Sequence, residues 1–225
     1  MPQITTRNLI LSSLASADFA LLQPFLEPVD LPLRKVLEQR GRSIKAIYFP
    51  SAGIASVVAN GSAMPIEVGL IGREGVTGIP VILGAHRSEH EIYIQVAGEG
   101  HRVRTAQVLE LIQKSPAMHG VLLRAANRFL NQAISTAVAN GRARRDERLA
   151  RWLLMANDRL DGDEIPLTHE FLSMMLAVSR PGVTKAVNEL EQAGLIENKR
   201  SRITIVDRTG LEKRAHGHYP RGGKL

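Results

Sequence analysis

Two stretches of helical hydrophobic periodicity follow each other directly between residues 167 and 195. Apolar residues three and four positions apart give each stretch one apolar face. These residues are Phe171, Leu172, Met175 and Leu176 in the first stretch, and Val183, Ala186, Val187 and Leu190 in the second. Because each helix buries one side against its neighbour, the sequence predicts a helix-turn-helix whose second helix keeps a polar side free.

The polar side of the second helix, Ser179–Gly194, carries residues suited to a nucleic acid. Arg180 begins this side, and Thr184, Lys185 and Asn188 follow on it. Such a helix fits the major groove of DNA, where arginine and lysine donate hydrogen bonds to guanine O6 and N7. An ordinary helical hairpin of a globular protein would show the same apolar pattern, and the residues that follow decide between the two.

A basic hairpin is predicted directly after the second helix. Leu195-Ile196 and residues 203–206 have the pattern of two short strands, and residues 197–202 connect them. A helix-turn-helix followed by such a hairpin is a winged helix, whose wing cations lie beside the phosphate backbone and add affinity without reading bases. The basic residues of the connection are Lys199, Arg200 and Arg202.

Four short motifs span this region. They are Leu-Thr-x-x-x-Leu from Leu167, Val-Ser-Arg from Val178, Val-Thr-Lys from Val183 and Leu-Glu-x-x-Gly-Leu-Ile from Leu190. Together they resemble the C-terminal DNA-binding domain of the Crp/Fnr superfamily of bacterial transcription regulators. The resemblance implies a sequence-specific DNA-binding regulator of transcription with double-stranded DNA and RNA polymerase as partners.

The resemblance also implies roles for single residues. Arg180 and Lys185 match two of the family's base-reading positions, whereas Pro181 stands where the family often has an acidic residue. Proline cannot accept a hydrogen bond from cytosine N4, so the operator should differ from the family's best-known one. Ala177 stands at the turn, where the family usually has a left-handed glycine.

The predicted DNA interface combines three kinds of position. We expect Arg180, Thr184 and Lys185 to read bases. Thr168, at the N-cap of the first helix, and His169 should meet phosphates, and Ser179 should cap the second helix. The complete set is Thr168, His169, Ser179, Arg180, Pro181, Gly182, Thr184, Lys185, Asn188, Lys199, Arg200 and Arg202.

The first half of the chain has a different sequence pattern. Residues 8–25 predict one or two short helices, and from about Pro28 to Val103 short β-type runs alternate with glycines, a pattern typical of a sandwich or barrel. The resemblance implies the β-roll of the cyclic-nucleotide-binding fold. The runs are residues 36–37, 46–49, 54–58, 66–71 and 92–96.

A long helix is predicted from Pro116 to about Asn140, after a shorter one at Thr105–Lys114, and Asn140-Gly141 reads as its end and a hinge. It has two adjoining stripes, so it can pack on its own β-domain and on a second copy. A buried helix in a monomer is the alternative, and the resemblance favours the homodimer. The stripes are Leu122, Ala126, Phe129, Ala133 and Thr136, and Leu123, Asn127, Leu130, Ile134 and Ala137.

These elements predict an α+β protein in three parts. They are a cyclic-nucleotide-binding-like β-roll sensor domain at residues 1–115, a dimerisation helix at 116–140 and a winged helix-turn-helix domain at 141–225, which starts with a helix at Ala143–Leu160. Trp152 falls on the apolar face of that helix and should be buried. A homodimer presents two recognition helices, and its operator should therefore be an inverted repeat.

No effector site is recognisable. In the family's cyclic-nucleotide branch, a Gly-Glu pair ahead of a short helix binds ribose, and a later Arg-Ser or Arg-Thr pair binds the cyclic phosphate. Residues 72–80 place Ile79 about where that glutamate belongs. Arg87-Ser88 offers a superficial match, yet the register puts His90 or Glu91 at the arginine position. The effector is therefore unknown, and the site is a degenerate one that should not take cyclic AMP.

Histidines raise two further alternatives. His86, His90 and His101 could ligate haem, and His216 with His218 could chelate a metal. Scattered surface histidines and a solvated tail explain both sets more simply, so we expect no metal and no cofactor. The alternative function is that of a haem or small-molecule sensor that acts through protein contacts.

The composition of the chain argues against several other classes of protein. The 225 residues carry a formal net charge of +7, which suits a polyanionic partner. The absence of cysteine excludes disulfides, cysteine-ligated zinc and iron–sulfur clusters held by the chain's own thiolates. No catalytic constellation is visible, so an enzyme is not expected. Without a leader or a long apolar segment, we expect a cytoplasmic protein that does not bind membranes.

Overall fold

The computed structural model describes residues 6–60, 65–167, 169–176 and 178–219. The chain packs as two compact units, one of residues 1–57 with 71–132 and one of residues 58–70 with 133–225. Neither unit is continuous in sequence, because residues 58–70 pack with the C-terminal half. The predicted division into three consecutive parts, with boundaries after residues 115 and 140, follows the order of the chain and does not describe this packing. It stays a prediction.

Among the described residues, seven strands form the β-rich part. They are β1 Glu27–Leu31, β2 Val36–Glu38, β3 Ala46–Pro50, β4 Ile54–Asn60, β5 Pro65–Ile71, β6 Glu91–Val96 and β7 Gly98–Arg104. They build one sheet in the order β1-β7-β3 and another in the order β2-β6-β4-β5. The predicted runs all lie within observed strands, and the mixed α+β class is confirmed. β4 and β5 run through the division between the two units.

Strands β1 and β7 have no counterpart in the sequence prediction. β7 reads Gly-Glu-Gly-His-Arg-Val-Arg and lacks an alternating apolar pattern, so periodicity does not reveal it. Its glycines are required by close packing: a Cβ at Gly98 would collide with the carbonyl of Ala52, and one at Gly100 with the carbonyl of Phe49. Glycine in a strand commonly marks such an approach of another backbone.

Helices surround the core of the first unit. They are α1 Leu9–Ser12, α2 Ser16–Leu22, a 3-10 turn at Gln23–Phe25, α3 Ile79–Ile82, α4 Thr105–Lys114 and the start of α5 Pro116–Arg142. The fully buried Asn8 ties α1 to the β-strands, because its Oδ1 accepts the amides of Ile10 and Leu11 while its Nδ2 donates to the carbonyls of Pro50 and Gly75. It thereby satisfies the free amides of the first turn.

The long helix α5 follows its prediction in pattern but not at its end. One predicted stripe, from Leu122 to Thr136, is buried or half-buried, and the other, from Leu123 to Ala137, is exposed. The helix runs on to Arg142, so its end lies two residues beyond the predicted end at Asn140, and the hinge expected at Asn140-Gly141 stays a prediction. Gly141 lies inside the helix, and the amide of Ala143 still bonds to the carbonyl of Ala139 at 2.9 Å.

The second unit is a winged helix-turn-helix. Its elements are α6 Arg145–Asn157, β8 Glu164–Pro166, α7 His169–Leu176, α8 Arg180–Gln192, β9 Ile196–Lys199, β10 Arg202–Ile205 and α9 Arg208–Arg214. The strands form an antiparallel sheet in the order β8-β10-β9. α6 packs against α7, α8 and α9. No helix in the described ranges combines the length and hydrophobicity that crossing a bilayer requires.

The wing is tighter than predicted. The expected connection of residues 197–202 shrinks to Arg200-Ser201, because β9 extends to Lys199, which pairs with Arg202 at the start of β10. Ser201 adopts a left-handed backbone with φ 60° at this turn. The strand β8, which pairs with β10, was not predicted from the sequence.

A buried carboxylate lies in the first unit. Glu38, at the end of β2, is only 3% exposed, and its Oε1 accepts the amide of Gly78 at 2.6 Å, at the start of α3. Burial raises the pKa of Glu38, while the hydrogen bonds from Gly78 and Ser88 act in the opposite direction. The protonated form is therefore favoured by folding more than in the unfolded chain.

This raised pKa predicts a pH-dependent stability. The contribution of Glu38 is fully present below its unfolded pKa of about 4.5 and is lost as the pH rises through its higher folded pKa. Glu38→Gln keeps an oxygen for the Gly78 amide and cannot ionise. Thermal melts between pH 4 and 8 should show the variant gaining on the parent protein as the pH rises. Glu89→Gln, at an exposed position, is the control; equal gains for both variants would contradict the assignment.

Candidate nucleic-acid interface

Helix α8 separates an apolar face from a polar one. The apolar face is buried in the second unit and consists of Gly182, Val183, Ala186, Val187 and Leu190. The opposite face is exposed and carries Arg180, Pro181, Thr184, Lys185 and Asn188. Because α6 and α7 pack against α8, the exposed face is held in a fixed orientation. The structure therefore brings together on one surface the residues of α8 that the sequence nominates as base-reading.

The first turn of α8 differs from the prediction in one respect. Ser179 is the N-cap residue, and its carbonyl accepts the amide of Val183 at 3.0 Å, but its side chain makes no capping hydrogen bond. A capping serine normally accepts the amide of the second or third helical residue. Pro181 is the second residue and has no N–H, which removes one of these donors. The exposed hydroxyl of Ser179 is thus not committed to its own helix.

The polar side chains of α8 are only weakly engaged with each other. Lys185 is 71% exposed at its side chain, and its Nζ lies 3.9 Å from a carboxylate oxygen of Glu189. The hydroxyl of Thr184 donates to the carbonyl of Arg180 at 3.2 Å, one helical turn earlier. Within the described ranges, Arg180 forms no ion pair. An exposed pair at such a distance contributes little, so Lys185 remains available to another anion.

The three cations of the wing are not equivalent. Lys199 lies 3.0 Å from Glu197, and Arg202 lies 3.1 Å from Glu164 on β8. Arg200 is exposed at the tip of the hairpin and has no carboxylate partner in the part of the chain that the structure describes. The sequence alone treats these cations as one group, whereas the strand register separates Arg200 from the other two.

A surface groove next to α8 adds a residue that the sequence prediction missed. The groove has a volume of about 450 Å³ and lies between the start of α6 and the first turns of α8. Arg145, the first residue of α6, stands on one side and Lys185 on the other. A run of three arginines at residues 142, 144 and 145 was the available signal. The lining residues are Arg145, Val178, Ser179, Pro181, Gly182 and Lys185.

Arg145 differs from its neighbour Arg144 in its partners. Arg144 pairs with Glu147 at 3.1 Å, in a capping box in which the carboxylate of Glu147 also accepts the backbone amide of Arg144 at 2.8 Å. Arg145 has no such carboxylate among the described residues and is exposed. Its charge therefore faces the groove without compensation, which favours an anionic group there.

Three predicted positions at the first helix cannot be placed. Thr168 and Ala177 lie outside the described residues, and the same holds for the side chain of His169, whose backbone begins α7. Their predicted roles stay predictions.

Ion pairs and hydrogen bonds connect α9 and Tyr219 to α6, the helix that packs against α8. Asp146 on α6 bonds to Arg214 on α9 at 3.0 Å. Asp158, at the C-cap of α6, accepts hydrogen bonds from Arg208 at 2.7 Å and from the hydroxyl of Tyr219 at 2.7 Å. Burial, reinforced by Asp158, raises the pKa of Tyr219 to about 12, so the phenol stays a donor. These bonds fix α9 and residue 219 to α6.

The first unit offers no paired phosphate site at the expected positions. Ile79 begins α3, Arg87 is exposed with its guanidinium 3.3 Å from the carbonyl of Gly41, and Ser88 is buried and donates to the carbonyl of His90 at 2.8 Å. The two side chains of the Arg87-Ser88 pair thus have separate environments and partners.

The histidines are scattered rather than grouped. His86 and His90 are exposed. Burial lowers the pKa of the half-buried His101, and Glu99 opposes this. In the tail, His216 is exposed and His218 half-buried. No three residues of the types His, Cys, Asp and Glu form a metal-holding group within the described ranges.

Residues 147–214 match the family model of the Crp-like helix-turn-helix domain. No curated protein matches the sequence closely enough to count as a relative. Among solved structures, the fold is similar to FixK2 from Bradyrhizobium japonicum, with a TM-score of 0.72 and 13% identity over 84% of this chain and 96% of that chain.

Two further solved structures share the fold. One is a CRP-family transcriptional regulator from Thermus thermophilus, with a TM-score of 0.69 and 18% identity over 84% of this chain and 96% of that chain. The other is the c-di-GMP-responsive global regulator CLP from Xanthomonas campestris, with a TM-score of 0.68 and 14% identity over 85% of this chain and 99% of that chain. At such identities the likeness concerns the fold.

Proposed function

We propose that the chain is a Crp/Fnr-type regulator that controls transcription by binding an inverted-repeat operator as a homodimer. Its Crp-like helix-turn-helix domain and its fold support this proposal. The observation that carries the proposal is the exposed polar face of α8 beside a groove lined by Arg145 and Lys185. A helix so presented can enter the major groove while the cations contact the backbone. RNA polymerase is the proposed protein partner, and the cytoplasm is the proposed compartment.

The proposed roles of the single residues follow from the exposure of their side chains and from their ion pairs. Arg180, Thr184 and Lys185 read base edges, because they stand together on the exposed face of the first turns of α8. Pro181, which is exposed, and Gly182, which is buried, both line the groove and are proposed to lie close to the DNA backbone. The groups proposed to contact phosphates are Ser179, Arg145, Lys199, Arg200 and Arg202, and Asn188 extends the polar face.

The homodimer is proposed from the exposed stripe of α5. Leu123, Leu130, Ile134 and Val138 are 39%, 54%, 53% and 48% exposed, although the opposite side of the helix is buried. Large apolar residues at three- and four-residue steps on one helix are the pattern of a helix that pairs with a second helix. Asn127 interrupts the stripe, and a single polar residue at such a seam can fix the register of the two helices.

The proposed effector is not cyclic AMP. Ile79 offers no hydrogen bond to a ribose hydroxyl, and Arg87 is turned to the carbonyl of Gly41. In addition, the carboxylate of Glu38 already accepts the amide of Gly78 at the start of α3. A phosphate near this amide would meet a buried carboxyl group instead of a free donor.

Selection from a random pool of duplexes tests the proposal directly. We expect the purified protein to enrich an inverted repeat whose half-sites are about 10 base pairs apart, centre to centre, or a multiple of this spacing. Enrichment should be repeated with and without a cell extract, which supplies a missing effector. A pool that stays random under both conditions would overturn the proposed function.

Arg180→Ala should relax base preference at one position of each half-site. The loss of a bidentate contact to guanine costs about 1–3 kcal/mol of discrimination against the other bases. Competition gel shifts with operators substituted at single positions measure this. Arg42→Ala, which removes an exposed arginine from the first unit, is the matched control for the loss of one positive charge. An unchanged preference in Arg180→Ala would refute the base-reading role.

Arg145→Ala should weaken binding to all sequences alike. A phosphate contact carries no sequence information, so base preferences should persist, and the slope of log affinity against log salt should decrease by about 1 per lost contact. Titrations between low and physiological salt measure the slope. A parental slope in Arg145→Ala would show that the groove is not a phosphate site.

Leu130→Asp combined with Ile134→Asp should convert the dimer to a monomer. Each carboxylate would have to be buried in an apolar seam, which is strongly unfavourable. Light scattering coupled to gel filtration should give the single-chain mass of 24.7 kDa, and affinity for the full operator should fall to that of one half-site. Leu83→Asp, at a leucine that is 64% exposed and lies outside α5, should stay dimeric. A parental mass for the double variant would remove this seam from the dimer.

A further inference from the structure

A buried hydrogen bond joins the β4–β5 hairpin to α6 within the second unit. The indole Nε1 of Trp152 donates to the Oε1 of Glu67 on β5 at 2.7 Å, and both residues are 4% exposed. This is a charge-assisted bond in a region shielded from water, where such bonds are strongest. It is one of the contacts by which β5 packs with C-terminal residues.

The residue next to Trp152 reinforces this attachment. Arg151 is 5% exposed. Its guanidinium donates from Nη2 to the hydroxyl of Thr136 on α5 at 3.1 Å and from Nε to the carbonyl of His218 at 3.0 Å. Burial lowers the pKa of Arg151 to about 10, and the charge of Glu67 opposes this decrease. Helix α6 is therefore fastened to β5, to α5 and to the C-terminal residues at adjacent positions.

The position of α6 determines the position of the recognition helix. Leu149 and Leu153 on α6 and Val183 and Val187 on α8 have no exposed surface, and the two helices pack directly on each other. Closely packed interiors transmit displacement instead of absorbing it. A displacement of α6 at Trp152 would therefore be passed on to the exposed face of α8.

We propose that the Glu67–Trp152 hydrogen bond is a latch that holds α6, and through it α8, against the β4–β5 hairpin in the arrangement that binds DNA. The inference rests on the proposed function and adds the element that regulates it. Strands β4 and β5 continue into the first unit, so they are the route by which a change there reaches the latch.

A double-mutant cycle on operator affinity tests the latch. Trp152→Phe keeps an aromatic ring and removes the donor, and Glu67→Ala removes the acceptor. Each should weaken binding about tenfold, within the usual range of coupling between sites. The double variant should also lose about tenfold, not the product, because either change alone opens the latch. Glu67→Gln keeps an acceptor oxygen and should bind like the parent protein.

Stability and salt dependence separate a latch from a general packing role. All variants should keep the parental slope of affinity against salt, since the phosphate contacts are unchanged. Thermal melts identify variants that are unfolded at the binding temperature. Single variants that fold and bind like the parent, or losses that multiply in the double variant, would overturn the latch. A parent protein that selects no operator would overturn the proposed function itself, and with it the latch.

The unmodified protein provides an independent readout. Trp152 is the only tryptophan of the chain, so the fluorescence reports on the surroundings of this one side chain. We expect the emission maximum and the protection from acrylamide to stay the same when the operator is added, because the latch is closed in the DNA-bound form. A red shift and increased quenching on addition of the operator would show that DNA binding opens the bond, and the latch would then be wrong.

Discussion

The packing of α8 against α6 is the constraint on which the DNA-binding unit depends. Helix α6 is buried along most of its length, and its core leucines contact the apolar face of α8. Burial of that face forces the polar face outward, so one set of apolar contacts both stabilises the unit and creates the interface. The charged residues of α6 that are buried with it each have a partner: Asp146 bonds to Arg214, and Arg151 to Thr136. An unpaired charge in these positions would strongly destabilise the unit.

Hydrophobic periodicity predicted the elements that bury one face. The two helices around Ser179, the long helix α5 with its buried and exposed stripes, and the strands at residues 46–49 and 92–96 all follow from spacing alone. The strand β7 could not be found this way, because its glycines are set by backbone approach and not by side-chain burial. Gly141 suggested the end of the long helix, because glycine often follows the last residue of a helix. In the structure α5 continues through Gly141 to Arg142.

The candidate interface was predictable in its residue types but not in its pairing. Sequence placed Arg180 and Lys185 on one face, since a helix repeats every 3.6 residues. It could not place Arg145 beside them, because the contact between the start of α6 and the start of α8 depends on tertiary packing. Nor could it distinguish Arg200 from its neighbours, because the pairs of Lys199 and Arg202 depend on strand register and on the unpredicted β8.

The arginines proposed to contribute to DNA affinity are different from those whose ion pairs stabilise the second unit. Arg145, Arg180 and Arg200 are exposed and have no carboxylate partner among the described residues, whereas Arg208 and Arg214 are fixed to acids of α6. A cation that is already paired must lose a favourable contact before it meets a phosphate, and a solvated one need not. Exposed pairs such as that of Arg202 lie between these cases, because their low net energy lets a phosphate compete for the guanidinium. Evolution can therefore change the first group to tune DNA binding while the second group, together with the buried contacts of α6, preserves the scaffold.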